Sequence, residues 1–484
     1  MKTSELKIGW AETDITPIAQ PVSLRGQFYA RVSEGVKDPL KATVAAFESG
    51  DDHLVLVGCD LIDISDHLRD AVRERLCTAS LDARKVILHA THTHTAPQTS
   101  DDAMDPFDAL PESARVERAS GADYVAFAAE RIAQAVRSAW DSRAAGSIAF
   151  GQDAAVVGRN RRWTGMDGRS TMYGLDEKTR DAFSHIEGYE DHSVNLLATY
   201  DGAGALTGVV VNLPSPAQES MHDFMISADF WHETRLELRK RHGEKLFILP
   251  QCSAAGELTS YVLYERAAHQ RMLEIRNRTE REEVALRIAD AVGRILPFLS
   301  NHRDHAPVLR HDVGTLELPL NCISEKQVEE ALAEAEVWRG RYEEEKRKLE
   351  ENDAVRREPR WYVKTTQAFR RMNWYLKVAK RYEQQKTAPT RAMEVHVVRL
   401  GEIAFATNPF ECYLDFGIQI KVRSPFIQTF LIQLAGGGTY LPSPRSVAGG
   451  GYGSVPASNP VGSQGGTVLV DYTVEKLRAL SVVT

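Results

Sequence analysis

Short aliphatic and β-branched runs alternate along the chain with longer segments whose apolar positions recur every three or four residues. Residues 7–16 carry the first strand pattern, ending in Thr13-Asp14-Ile15-Thr16-Pro17. Residues 41–48 and 53–58 read as paired strands around the turn Ser49-Gly50-Asp51-Asp52. Leu68, Val72 and Leu76 recur at four-residue spacing and predict a helix over 66–79. The run Lys85-Val86-Ile87-Leu88-His89 follows as a buried strand, so strand, helix and strand form a β-α-β unit. Further helices are predicted over 121–140 and 229–242, with one long helix over 264–296 that ends before Pro297. Strand patterns recur at 145–151, 193–212, 245–250, 394–400, 402–407 and 427–433, and a short helix over 472–481 closes the chain. The alternation predicts an α/β (mixed α+β) class: one large domain over 1–484, with mixed β-sheets and helices packed outside them.

Residues 324–386 break this rhythm. They are rich in Glu, Lys, Arg and Ala, with Trp338, Trp361 and Trp374 spread among them. Ser324 and Gln327 fit a capping box, and Val328, Leu332 and Ala335 continue as a helical stripe. The pattern stops at Arg356-Arg357-Glu358-Pro359 and resumes near 360–384 with Phe369, Met372, Tyr375 and Val378. The segment reads as an inserted helical hairpin. It is a solvated surface element or, because so many aromatics need a partner surface, an arm for self-association into a homo-oligomer.

Composition narrows the function classes. A net charge of −8 gives no basic footprint for nucleic acid. No apolar run approaches the ~18 residues of a membrane span. Met1 to Leu6 lacks the apolar core of a signal peptide. The five cysteines are odd in number and scattered, without a CxxC, which favours reduced thiols. A cytoplasmic protein acting on a small molecule is the expectation.

The candidate chemistry begins at Ala90-Thr91-His92-Thr93-His94-Thr95-Ala96-Pro97. Two imidazoles two residues apart at a strand end project from one side and hold neutral nitrogen ligands, as zinc requires. The same motif also fits two histidines packed at a strand end and bonded to nearby backbone. The late glycine-rich loops, Gly436-Gly437-Gly438 and Gly449-Gly450-Gly451, let backbone approach a ligand closely but carry no phosphate-loop pattern.

Taken together, Asp14-Ile15-Thr16-Pro17, the His92-Thr93-His94 run, Asn160-Arg161-Arg162, Ser227-Ala228-Asp229, Asn408-Pro409-Phe410-Glu411 and the stretch from Tyr440 to Tyr452 occur in the order seen in neutral/alkaline ceramidases. The chain resembles the N-terminal catalytic domain of that family over nearly its whole length, as a divergent member. The resemblance implies a zinc amidohydrolase with one zinc per chain. It implies that His92, Glu411 and Tyr440 bind the metal, and that His94, Arg161, Tyr452 and Thr259 serve catalysis. Gly26 would line the substrate side. Two departures bear on this. Ser215 stands where the family has its second zinc histidine, so His222, or else Glu219 or His94, is expected to complete the shell. Pro409-Phe410-Glu411 has lost the family's glycine, and Gly256-Glu257-Leu258-Thr259 is a degraded form of its hydroxyl motif.

The expected activity is therefore zinc-dependent hydrolysis of an amide or related acyl bond, on a substrate smaller and more polar than ceramide. Two other readings stand beside it. One is a carbohydrate-processing hydrolase or lyase using acid/base pairs among Asp60, Asp229, Glu219 and Glu257. The other is a non-catalytic binding protein.

Overall fold

The computed structural model describes residues 4–77, 80–99, 105–174 and 179–482. Eight strands form the main sheet: β1 (Lys7–Asp14), β2 (Lys41–Ser49), β3 (Asp52–Cys59), β4 (Val86–Ala90), β5 (Ala144–Ala154), β6 (Ser193–Asp201), β7 (Leu206–Leu213) and β8 (Phe247–Cys252). Their spatial order is β8-β7-β6-β5-β1-β2-β3-β4. The outer pairs β3–β4 and β7–β8 are parallel, whereas the central pairings are antiparallel, so the sheet is mixed. Each parallel pair is bridged by a helix: α1 (Asp66–Arg75) joins β3 to β4, and α3 (Phe230–His242) joins β7 to β8.

A second sheet holds β9 (Leu309–Pro319), β10 (Thr390–Leu400), β11 (Ile403–Thr407) and β12 (Gln428–Ile432), in that order, with β11 and β12 parallel. Phe47, Leu54, Leu56, Ile87 and Leu249 of the first sheet meet Val398, Phe405 and Phe430 of the second in a dry centre. Each such side chain contributes about 1.5–3 kcal/mol by leaving water. Helices cover the outer faces. α2 (Gly121–Asp141) packs on β1 and β2, α5 (Glu280–Leu299) on β5 and β6, and α8 (Ser463–Ser481) on β9 and β10. The expected architecture of mixed sheets with helices outside is what the chain adopts.

Several boundaries differ from the pattern. The predicted helix 66–79 ends at Arg75, capped by Leu76 donating to Arg73 O and Glu74 O, and residues 78–79 lie outside the described residues. The long helix expected over 264–296 is two helices, α4 (Arg266–Arg276) and α5. Asn277 caps α4 in the left-handed region at φ 50°, and Thr279 with Glu282 opens α5 as a capping box. Pro297 sits inside α5 rather than after it. The strand reading over 193–212 resolves into the hairpin β6–β7, and the closing helix begins at Ser463.

The segment 324–386 forms α6 (Glu325–Glu351) and α7 (Val363–Gln385), packed along each other, with the Ser324–Gln327 capping box at the start. Its aromatics are spent largely on the body of the domain. Tyr362 packs with Phe107, Ala30 and Val32, and its hydroxyl accepts the Val32 N–H at 3.2 Å. Thr366 Oγ1 accepts the Ala30 N–H at 3.1 Å, and Arg370 donates to Gln27 O at 2.7 Å. α7 therefore braces the segment 27–32. No helix among the described residues is long and apolar enough to cross a membrane.

Candidate active site

The site is gathered at the carboxyl ends of parallel strands, where open α/β sheets place their ligands. Loops leaving β4, β7, β8, β11 and β12 all reach it. Asn212 and Gln433 tie these ends together. The Asn212 amide donates to Gln251 and to Leu431 O, and Gln433 Oε1 accepts the N–H groups of Ala255 and Cys412.

His92 and His94 are not strand residues, as the pattern implied. β4 ends at Ala90, and His92 has φ 65°, a left-handed conformation in which β pairing cannot continue. The loop is over-determined by its neighbours. His92 N donates to Leu61 O at 2.9 Å, and the Thr93 and Thr95 hydroxyls donate to Ser227 O. Strain of this kind, held by surrounding bonds, clusters at functional sites. His92 Nδ1 contacts Ile62 O at 2.7 Å, a carbonyl that takes the Nδ1 proton and orients the ring. That Nε2 lies 3.3 Å from Glu411 Oε2.

Glu411 and Tyr440 are direct partners in a short parallel pairing, Glu411–Cys412 with Tyr440–Leu441. Gly256 makes room for it, because a β-carbon there would lie 2.4 Å from Glu411 O. The Arg161 guanidinium, fully buried, lies 3.7 Å from Glu411 and donates to Tyr440 OH at 3.2 Å, to Gly256 O at 2.8 Å and to Tyr173 OH. Burial pushes the Glu411 carboxyl up, but His92, Arg161 and the Tyr440 hydroxyl outweigh it and hold the group below the usual range. Burial raises both tyrosines, Tyr440 well above 10 and Tyr452 to about 12. Both hydroxyls stay protonated at neutral pH.

His94 stands edge-on to His92, with ring centroids 4.8 Å apart. Its Nε2 lies 2.9 Å from the Gln218 amide nitrogen, so the neutral ring carries its proton on Nδ1. Nδ1 has no hydrogen-bond partner among the described residues and lies on the side of Gly26. Burial first, then the neighbouring positive charges, keeps this ring well below its ordinary pKa. Arg31, buried beneath, donates to the carbonyls of Met221, Asp223, Arg25 and His94 and so fixes both flanking loops.

Above these groups lies a cavity of about 590 Å³, within the size range of small-molecule sites. Gly26, His94, Tyr440 and Tyr452 line it, together with Phe28, Tyr173, Met221, Tyr261, Leu263, Arg266 and Arg371. Tyr452 and Phe28 are backed by Trp374 of α7, at 5.8 and 5.5 Å between centroids.

Of the predicted residues, His92, His94, Arg161, Glu411, Tyr440, Tyr452 and Gly26 therefore come together. Thr259 and His222 do not join them. Thr259 is fully buried in a short pairing with Arg159, its hydroxyl accepting the Tyr261 N–H at 3.4 Å, and it is not on the cavity wall. His222 is exposed at the mouth, where its Nδ1 faces Tyr29 OH at 3.3 Å. Arg31 holds the carbonyls on either side of it, which turns the ring outward. Ser215 is buried, its hydroxyl donating to Pro216 O. Among the described residues no three of His, Cys, Asp and Glu are gathered as a metal site. The converging donors are one imidazole, one carboxylate and one phenol.

Of the four carboxylates considered for glycoside chemistry, Asp60, Asp229 and Glu257 are committed elsewhere, and Glu219 has a buried Oε1 unpartnered among the described residues. Asp60 is paired with Arg235 at 2.7 Å, and Asp229 caps α3 and accepts the N–H groups of Glu219 and Ser220. Glu257 takes the Leu414 N–H at 3.0 Å, and Glu219 is raised to about 8 by burial and the nearby Asp229. None of the four lines the cavity. Sequence reasoning missed Arg31, Tyr173, Gln218, Phe28 and Arg371, whose roles arise only from long-range contacts. The one available signal was the position of Phe28 and Arg31 just after Gly26.

No protein-family model matches the chain, and no curated protein matches it. Solved structures do. A neutral ceramidase from Pseudomonas aeruginosa superposes with a TM-score of 0.66 at 14% identity, over 99% of this chain and 74% of that one. A structure described as a ceramidase complexed with C2 gives a TM-score of 0.68, also at 14% identity, over 99% and 75%. The chain has the fold of these proteins.

Proposed function

We propose that the chain is a hydrolase of amide or related acyl bonds, acting on small acylated compounds more polar than ceramide. The observation that carries this reading is the strained His92, whose Nε2 lies 3.3 Å from Glu411, itself paired with Tyr440 of the cavity wall. The fold shared with ceramidases supports the same reaction class.

The donor set fits a divalent ion with open positions. The Ile62 carbonyl fixes the His92 tautomer, and the Glu411 carboxylate is kept ionised. Catalytic zinc uses three protein ligands, and His92, Glu411 and Tyr440 are the residues that would hold it. A bound zinc ion supplies acidified water and a Lewis acid for the carbonyl. The remaining roles belong to the chain. His94 presents its Nδ1–H as a hydrogen-bond donor to the reacting group of the substrate, and Gln218 keeps that tautomer. Tyr452, its pKa raised to about 12 by burial, donates a hydrogen bond to the developing oxyanion. Arg161 holds the Glu411 carboxylate and Tyr440 in register.

The test is elemental analysis of the zinc-loaded protein and of His92→Ala, alongside turnover of a panel of N-acyl compounds. About one zinc per chain, lost in the variant together with turnover, is expected. Equal zinc in both proteins sinks the ligand assignment, and no turnover of any acyl compound sinks the hydrolase.

A further inference from the structure

The wall of the cavity has a charge that the chain as a whole does not. The sequence is acidic overall, yet no Asp or Glu lines the cavity, while Arg266 and Arg371 do. The two arginines differ from the others around the site. Arg31 is satisfied by four carbonyls, Arg161 by Glu411 and its neighbours, and Arg162 by Glu187 at 2.8 Å. Arg371 makes no hydrogen bond or ion pair among the described residues, and its Nε is buried without a partner. It is nevertheless held in place. Its guanidinium stacks over Phe28 at 3.6 Å from the ring centroid and lies 5.7 Å from Trp374. A planar guanidinium fixed on an aromatic face, with its donors unspent, is suited to a carboxylate, which it engages through two parallel N–H bonds. An unpaired buried donor costs stability, which an anionic ligand recovers. Arg266, at the start of α4, is exposed, makes no ion pair among the described residues and lines the same cavity.

We propose that Arg371, with Arg266 beside the same cavity, binds the carboxylate of the substrate, so that the site selects anionic amides of the N-acyl amino acid type over neutral N-acyl amino alcohols. This deepens the hydrolase reading and rests on it for the reaction, but not for binding. Phe28 and Tyr452 offer the apolar wall against which the acyl chain lies.

The experiment compares N-decanoylglycine with N-decanoylethanolamine, which differ only in carboxylate against alcohol. Binding is followed by the fluorescence of Trp374, with Trp374→Phe as the control for the signal, and turnover by amine release. N-decanoylglycine is expected to bind at least about tenfold more tightly, the order of one charge-assisted bidentate contact. Arg371→Gln should abolish that preference, Arg371→Lys should keep part of it, and Arg266→Gln should weaken it. N-decanoyltaurine separates a general anion site from a carboxylate site: tighter binding of the sulfonate than of the carboxylate overturns the carboxylate assignment. Equal or better binding of the ethanolamide, or an unchanged preference in a folded Arg371→Gln, overturns the proposal outright. An Arg371-dependent preference with no turnover leaves the anion site standing and removes the hydrolase. Turnover without a preference does the reverse.

Discussion

Gly26 lies flat against the His94 imidazole: a β-carbon at position 26 would sit 2.6 Å from its Nδ1 and 2.8 Å from Ile62 Cδ1. The backbone there has φ 110°, a conformation other residues rarely adopt. Gly26→Ala is therefore expected to displace the ring from the cavity and lower kcat/KM by about a hundredfold, the usual scale for a mispositioned catalytic group. A variant with native activity would show that His94 does not contact the reacting group.

Trp374 should matter although it belongs to the inserted helices. It backs both Phe28 and Tyr452. Truncating it to Ala removes the support of the aromatic wall, and KM should rise roughly tenfold, with zinc content unchanged. Steady-state kinetics with metal analysis checks this. An unaltered KM would place the substrate on the opposite side of the cavity.

The Asp60–Arg235 pair is a stability element. Both side chains are buried, joined at 2.7 and 3.0 Å, and Lys41 N donates to the same carboxylate. Asp60→Asn leaves a buried guanidinium poorly compensated and should cost about 3–5 kcal/mol in chemical denaturation. A loss under about 1 kcal/mol would mean that water reaches Arg235 and takes over the pairing.

A buried relay runs from Arg73 through Glu394 and His396 to His311, with His396 Nε2 at 2.9 Å from Glu394 and its Nδ1 at 2.9 Å from His311. Burial, joined by the neighbouring His396, holds His311 well below the ordinary imidazole range, and burial lowers His396 as well. Unfolded imidazoles protonate near ~6.5, whereas these accept a proton only at lower pH. Below ~6.5 the unfolded chain therefore binds more protons, and stability falls as the pH drops. His311→Gln should flatten the stability profile between about pH 6.5 and 5, by up to about 1.4 kcal/mol per pH unit for one proton. A profile identical to the native one would show that His311 is protonated in the fold.

The site was legible where chemistry is carried by a short run of residues. His92, Glu411, Tyr440 and Tyr452 sit in local motifs whose order survives in the sequence, and the strand patterns around them are apolar enough to read. What local pattern cannot carry is the return of a distant segment. β9 went unread because His311, Asp312 and Gly314 interrupt its alternation, and its burial is supplied by β10 and α8. The break at Asn277 is one residue's left-handed backbone inside an otherwise helical spacing. The outward turn of His222 depends on Arg31, almost two hundred positions away in the chain, which donates to Met221 O and Asp223 O.

α7 is anchored to the segment 27–32 and reaches the cavity through Arg371, while His92, Glu411, Arg161 and Tyr440 all stand on loops of the two sheets. The residues proposed for reaction and those proposed for selection thus occupy separate stretches of the gene. On the proposed reading, exchanging the face of α7 that meets Phe28 would alter the substrate wall, while His92, Glu411 and Arg161 keep their supports in the two sheets.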